Sequence, residues 1–346
     1  MDEQTFHSLL AKGSQHDASD VLLKVGQPPA LRVAGDLYYM QAEKLSPQNT
    51  LQVAEIVLAK SRFQGSVADL KEYDCSYAVQ GVGRYRVNIF RQRQSIALAM
   101  RSIPLNVPNF EQLGTPPAVR GFASLDRGLL LVVGAAGNGK SSTLAAIINE
   151  MNRTRRLHIV TIEDPIEFLH TDALCSISQR EVGLDTNSFA SALRAALRQD
   201  PDVILVGEIR DQETMEIALK AAETGHLVLS TLHTPDVQRT VGRVLSLLGM
   251  KEVQETRERF ADALRGVVAQ RLVPRQEGGM AAAIEVLVNT PTARESLRRP
   301  ENNLPLKDVM ERGVHPYGMQ TFEMHIKEMV RTGIISLETA RQTLGA

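Results

Sequence analysis

Tryptophan is absent from this chain, and cysteine occurs only twice, at Cys75 and Cys175. Two cysteines so far apart build neither a disulfide framework nor a four-cysteine zinc site. Aromatic residues are scarce, at 4% of the chain, so a stacking platform for single-stranded nucleic acid is not in view. An excess of positive charge is missing too. Lys plus Arg number 39 and Asp plus Glu 40, a net charge of −1, which weighs against a general nucleic-acid binder. Nor is there a long apolar run. The longest, Gly128–Gly137, is about half of the 18–20 residues a membrane-spanning helix needs. The opening MDEQTF is acidic and polar, unlike a signal peptide, so a soluble cytoplasmic protein is expected. What remains is an ordinary globular composition, 43% hydrophobic and 23% charged over 346 residues. That is enough for about two domains.

The patterning changes part-way along. Thr5–Ala11 and Leu51–Leu58 have helical spacing, and Ala18–Val25, Ala30–Val33 and Asp36–Met40 read as strands, with Gly26-Gln27-Pro28-Pro29 and Ala34-Gly35 as turns. Cys75–Gln80 and Arg84–Phe90 alternate around Gly81-Val82-Gly83. Tyr85, Val87 and Ile89 fall on one face, and Arg84, Arg86 and Asn88 on the other. Ser95–Ile103 adds a strand, giving a small α+β domain over residues 1–103. Pro104, Pro108, Pro116 and Pro117 then mark a linker over 104–118. Beyond it strands (Gly128–Val133, Leu157–Ile162, Asp202–Val206, His226–Leu232) alternate with helices (Lys140–Met151, Ser188–Leu197, Thr214–Glu223). That order argues an α/β domain with a parallel sheet over 119–346. After about residue 250 the spacing predicts mostly helix: Val253–Leu272, Ala293–Arg298, Leu306–Arg312, Gln320–Arg331 and Ser336–Leu344.

Residues 134–141 read Gly-Ala-Ala-Gly-Asn-Gly-Lys-Ser, a full G-x-x-x-x-G-K-[ST] phosphate loop, and Ser142 follows. Gly134, Gly137 and Gly139 let the backbone curl with its N–H groups inward, beside Asn138. The helix opening at Lys140 adds its partial positive charge. The Lys140 ammonium neutralises phosphate charge, and the Ser141 hydroxyl suits Mg²⁺. The loop follows an apolar strand and precedes a helix, as the chemistry needs.

Two apolar strands end in acids: Glu163-Asp164 after Val160-Thr161-Ile162, and Glu208 after Val203-Ile204-Leu205-Val206-Gly207, with Ile209-Arg210-Asp211 beyond. In open parallel sheets ligands bind past the carboxyl ends of strands, so such carboxylates can hold Mg²⁺ or orient water. An acid in that place is also a common helix N-cap. His226 and His233 bracket the last strand of the series, placed to sense a γ-phosphate or serving only in packing.

These motifs in this order resemble the secretion and type IV pilus motor ATPases, most closely the PilT/PilU group of pilus retraction motors. Ala18–Leu37 resembles the opening of the family's N-terminal domain, Gly134–Ser141 its Walker A, Thr161–His170 its Asp box, Pro201–Asp211 its atypical Walker B and Gly225–Thr234 its His box. The resemblance implies a small, PAS-like α+β domain followed by a RecA-like P-loop domain with a helical C-terminal part. It implies ATP and Mg²⁺ as cofactors, with Glu163 polarising the attacking water and Glu208 supporting Mg²⁺. His226 and His233 would couple the γ-phosphate to domain position. Arg84, Arg86 and Arg101 match arginines that reach the nucleotide; as residues of a strand face they are equally a solvated surface. The implied partners are five further copies in a homohexamer, an inner-membrane platform protein of the pilus and a paralogous motor ATPase, with no nucleic acid. The implied place is the cytoplasmic side of the inner membrane. The missing zinc cysteines and short N-domain favour the retraction branch and twitching motility. Two stretches depart from the PilT pattern: Thr292-Ala293-Arg294-Glu295-Ser296-Leu297 in place of AIRNLI, and Arg93-Gln94-Ser95 in place of Asn-Arg-Gly. A PilU-like accessory role, a regulatory subunit with weak turnover, and a secretion or nucleic-acid-translocating ATPase therefore stand as alternatives.

Overall fold

The computed structural model describes residues 1–33, 35–104, 106–249 and 253–345. Ala34 of the expected turn and Leu105 of the expected linker lie outside them. The chain divides into two compact units: Met1–Asn106 with Glu167–Leu169, and Val107–Ile166 with His170–Ala346.

In the first unit six strands form one antiparallel sheet. They are β1 (Asp20–Lys24), β2 (Ala30–Val33), β3 (Asp36–Tyr39), β4 (Glu72–Val79), β5 (Gly83–Gln92) and β6 (Ser95–Ile103), in the order β3-β2-β1-β6-β5-β4. The alternation in β5 has the expected effect. Tyr85, Val87 and Ile89 are buried with Ile96, Leu98 and Met100 of β6. Helices Glu3–Gln15 and Pro47–Ala59 contribute Phe6, Leu10, Val53 and Val57 to the same core. Each begins at a side-chain cap: Thr5 N donates to the Asp2 carboxylate, and Ser46 and Asn49 cap each other's backbone N–H.

The second unit holds β7 (Gly128–Val133), β8 (His158–Glu163), β9 (Ser176–Glu181), β10 (Val203–Val206), β11 (Leu227–Leu232), β12 (Leu264–Pro274) and β13 (Met280–Val288). They form one sheet in the order β13-β12-β7-β11-β10-β8-β9, parallel except for the antiparallel β13. Strand β7 is buried along its whole length. Leu129, Leu131 and Val133 pack with Met215, Val237 and Val244 on one face; Leu130 and Val132 pack with Leu144, Ile147 and Ile148 on the other. A strand covered on both faces reads as an unbroken apolar run, which is why it is legible in the sequence. The helix Lys140–Thr154 carries the chain from β7 past β11 and β10 to β8, whereas β12 lies on the opposite side of β7. The strand order thus reverses at β7, the place in such sheets where ligands bind. Phe110–Leu113, inside the proline-rich stretch, is a short helix with Phe110 buried in this unit's core.

The C-terminal third departs from expectation. Helix Val253–Ala263 stops where β12 begins, and β12 pairs with β7 on one side and β13 on the other. The expected helix over Val253–Leu272 is therefore half helix and half strand. β12 is buried on both faces and lacks the period-two alternation that separates strand from helix. At Gly266 a Cβ would sit 2.4 Å from the Phe122 ring and 2.8 Å from Leu287 O, so the close approach demands glycine. Strand β9 and helix Val237–Leu248 also lie outside the pattern-based expectation.

Candidate active site

The phosphate loop links β7 to a 15-residue helix, Lys140–Thr154. Gly134, Gly137 and Gly139 all take positive φ, at 148°, 78° and 76°. At Gly134 a Cβ would also lie 2.5 Å from Gln270 O on β12, so the first glycine is fixed by sterics as well as by torsion. The Lys140 ammonium turns back over the loop and donates to Gly134 O at 2.9 Å and Ala135 O at 3.0 Å. This places a buried positive charge over a glycine loop at a helix N-terminus, an arrangement suited to polyphosphate. Ser141 and Ser142, both half-buried, sit in the first helical turn. The Asn138 side chain also has a partner within the fold. Its Oδ1 accepts from Leu272 N at 3.1 Å and ties the loop to β12.

The neighbouring strands end beside the loop. Leu232 of β11 lies opposite Val133 of β7, and Gly134 N donates to Leu232 O. Val206 of β10 lies opposite Ile162 of β8. The loop, His233 and Glu208 thus follow β7, β11 and β10, and Glu163 ends β8, along one edge of the sheet, with strands about 4.8 Å apart. The Glu163 carboxylate Oε1 accepts from Thr161 Oγ1 at 2.7 Å and from Gln179 Nε2 of β9 at 3.1 Å. The Glu208 carboxylate is nearly buried, 12% exposed. Its Oε1 meets Arg210 Nη2 at 2.6 Å and its Oε2 lies 3.2 Å from His233 Nε2. Gly207 precedes Glu208 because the ends of β10 and β8 press together. Gly207 N donates to Ile162 O, and a Cβ there would lie 3.2 Å from that same oxygen.

His226 is not brought to this edge. It precedes β11, and its carbonyl accepts from Gly128 N at the start of β7. Six strand residues at about 3.3 Å each separate it from the loop end, about 20 Å. Its Nδ1 lies 3.1 Å from Ala221 O, closing the end of helix Gln212–Glu223. The expected γ-phosphate role for His226 is therefore not supported within one chain, because the two ends of a strand face opposite edges of the sheet. Asp211 takes the cap role instead: its carboxylate accepts from Thr214 N at 2.8 Å and Thr214 Oγ1 at 2.9 Å.

The three arginines lie in the first unit. Arg84 donates to Ser76 Oγ at 3.1 Å. Arg86 stands directly across from Arg101 in the β5–β6 pair. Arg101 is held by Asp20 at 3.0 Å yet stays 74% exposed. Arg86 and Arg101 are thus a like-charge cross-strand pair, offset in part by Asp20, which stands across from Arg101 on β1.

Thr161, Gln179, Arg210 and Leu272 escape a sequence reading. Arg210 is legible only as a neighbour of Glu208, and Gln179 and Leu272 lie on strands that the patterning did not reveal.

A divalent cation of the Mg²⁺ kind fits the donor types present: a serine hydroxyl in the first turn and the Glu208 carboxylate past the end of β10, two strands from β7. Among the described residues no cluster of three or more His, Cys, Asp or Glu could hold a metal by itself. Mg²⁺ characteristically takes one or two carboxylates and completes its shell with substrate phosphates and water.

The type II/IV secretion system protein model matches residues 86–295, a span holding the loop and all four strand ends just described. The chain belongs to that family. It is 40% identical to the type IV pilus retraction ATPase PilT of Pseudomonas aeruginosa, over 96% of each chain. To the type IV pilus ATPase PilU of the same organism it is 39% identical, over 97% of this chain and 87% of PilU. The crystal structure of the pilus retraction motor PilT with bound ADP superposes with a TM-score of 0.86 at 38% identity, covering 97% of this chain and 95% of that one. Membership and the phosphate loop together make the chain an ATPase, and its second unit is the RecA-like P-loop domain. No helix among the described residues is long and apolar enough to cross a membrane.

Proposed function

We propose that this family member is a Mg²⁺-dependent motor ATPase that works as a homohexameric ring at the base of a type IV pilus and drives its retraction, and with it twitching motility. The observation that carries the reading is the row of loop, His233, Glu208 and Glu163 at the point where the strand order reverses. The loop N–H groups, Lys140 and the first-turn serines hold the ATP phosphates. Ser141 and Glu208 would hold Mg²⁺, directly or through water, and the ion would supply positive charge to the phosphates. Glu163 orients and polarises the attacking water; Thr161 and Gln179 fix its carboxylate from two strands. His233 bears on the reaction through Glu208. Arg84, Arg86 and Arg101 bring positive charge to the nucleotide, from the same chain or a neighbouring copy. The ring acts on an inner-membrane platform protein from the cytoplasmic side.

The near-equal identity to PilT and PilU supports a second reading, an accessory motor paired with a paralogous ATPase. Deleting the gene and measuring both surface pili and turnover of the purified protein distinguishes the two. A retraction motor hydrolyses ATP alone, and its loss leaves pili assembled but not retracted. An accessory subunit shows weak turnover and leaves retraction partly intact. A strain without pili overturns both in favour of an assembly role, and stimulation of turnover by nucleic acid overturns them in favour of a translocase.

A further inference from the structure

Both oxygens of the Glu208 carboxylate are taken by side chains of the same unit, Oε1 by Arg210 and Oε2 by His233. The two contacts differ in kind. At 2.6 Å the guanidinium pair is short and permanently charged, whereas the imidazole lies at 3.2 Å. Glu208 itself has little freedom. Gly207 N bonds to Ile162 O, Ile209 N bonds to Thr231 O, and Asp211 caps the following helix. The backbone on either side of the pair is thus pinned to β8, β11 and a helix N-terminus. The Arg210 side chain is the opposite case: it stands 70% exposed and touches the nearly buried carboxylate only with its tip. A long, solvated side chain on a fixed backbone swings away at little loss of packing.

We propose that Arg210 is a latch on Glu208, occupying the carboxylate oxygen that a metal–nucleotide complex needs and releasing it when that complex enters. The proposal rests on the Mg²⁺–nucleotide reading above and deepens it by naming the group that competes with the cation. Two cations claim one oxygen: a guanidinium from solvent and a divalent ion arriving with phosphates. Before release Glu208 is neutralised by Arg210; afterwards the metal takes over that neutralisation. Arg210 is therefore a positioning residue that sets metal affinity rather than a group that touches the reacting atoms.

The test reads metal binding instead of turnover. Full-length wild type, Arg210→Gln and Arg210→Lys are saturated with equal amounts of a non-hydrolysable ATP analogue and titrated with Mn²⁺, the bound ion being read by electron paramagnetic resonance. Equal nucleotide in every sample cancels the metal's own affinity for it from the ratio. Arg210→Gln is expected to bind Mn²⁺ about two- to fivefold more tightly than wild type, the range set by one partly exposed ion pair. Arg210→Lys, which keeps the charge, is expected to stay near wild type. Nucleotide affinity measured with a chelator present, and the melting temperature, are expected to agree across the three proteins. Unchanged or weaker Mn²⁺ binding in Arg210→Gln overturns the latch and makes Arg210 a support that holds Glu208 toward the metal. If wild type itself binds Mn²⁺ no better than the analogue does alone, the metal reading of the site fails along with the latch.

Discussion

Lys140 and Glu163 bear the most direct tests at the scale of single residues. Lys140 spends its ammonium on two loop carbonyls, so Lys140→Ala removes charge without opening a core. The fold should survive, while ATP affinity or turnover falls by about two orders of magnitude or more; circular dichroism and a coupled phosphate assay check both halves. Glu163→Gln keeps the shape and the acceptor oxygen that faces Thr161 and Gln179. It should bind nucleotide almost normally and lose about 10²–10⁴ in kcat, the range for a missing catalytic base. Near-normal hydrolysis would show that the catalytic carboxylate lies elsewhere.

Among elements, β12 decides how firmly the loop is held. Asn138→Ala deletes the acceptor for Leu272 N and should cost about 1–2 kcal/mol of stability. Because it loosens the loop rather than removing charge, it should raise KM for ATP more than it lowers kcat. The neighbouring β13 carries a pH-dependent contact. Ile284 N donates to Nδ1 of His325, and burial holds that imidazole below its ordinary range of 6.5. The unfolded chain then binds more protons than the folded one below pH 6.5, so stability falls as pH drops through that window. His325→Gln keeps an acceptor and cannot titrate. Its melting temperature should decline less than that of wild type between about pH 7 and 5.5. Burial pushes the Glu285 carboxyl up, which opposes this slope, but equally in both proteins.

For the whole molecule the question is where the first-unit arginines act. Arg86→Ala relieves a like-charge cross-strand pair and should not destabilise the sheet, whereas Arg101→Ala also removes the Asp20 ion pair and should cost up to about 1 kcal/mol. If they serve the nucleotide, each should bind ATP nearly as wild type does and hydrolyse it about 10³-fold more slowly. Mixing an arginine variant with Glu163→Gln separates the two origins. Activity recovered in mixed rings means donation from a neighbouring copy; activity that stays lost means donation within one chain. Dilution until the ring dissociates should lower turnover per subunit, with the mass measured by light scattering. A verified monomer as fast as the assembly would remove the ring from catalysis.

The sequence by itself determined the local chemistry of this protein. Gly134–Ser141 specifies its own backbone through glycine torsions and a helix start. The alternation of Tyr85, Val87 and Ile89 chooses the buried face of β5, and the apolar run of β7 announces a strand covered on both sides. These are short-range matters of torsion and period, which neighbouring residues settle. Only the tertiary structure decided which ends of the strands come together. His226 and His233 look equivalent on paper, yet one lies at each end of β11, and a parallel sheet gathers its loops by edge rather than by nearness in sequence. β12 passed for helix because apolar residues buried on both faces carry no period of their own. Its carbonyl against Gly134 and its N–H on Asn138 exist only once the sheet has formed. The pairing of Arg210 with Glu208 likewise needs a pinned turn between β10 and the next helix, held from β8 and β11 by bonds that span long stretches of chain.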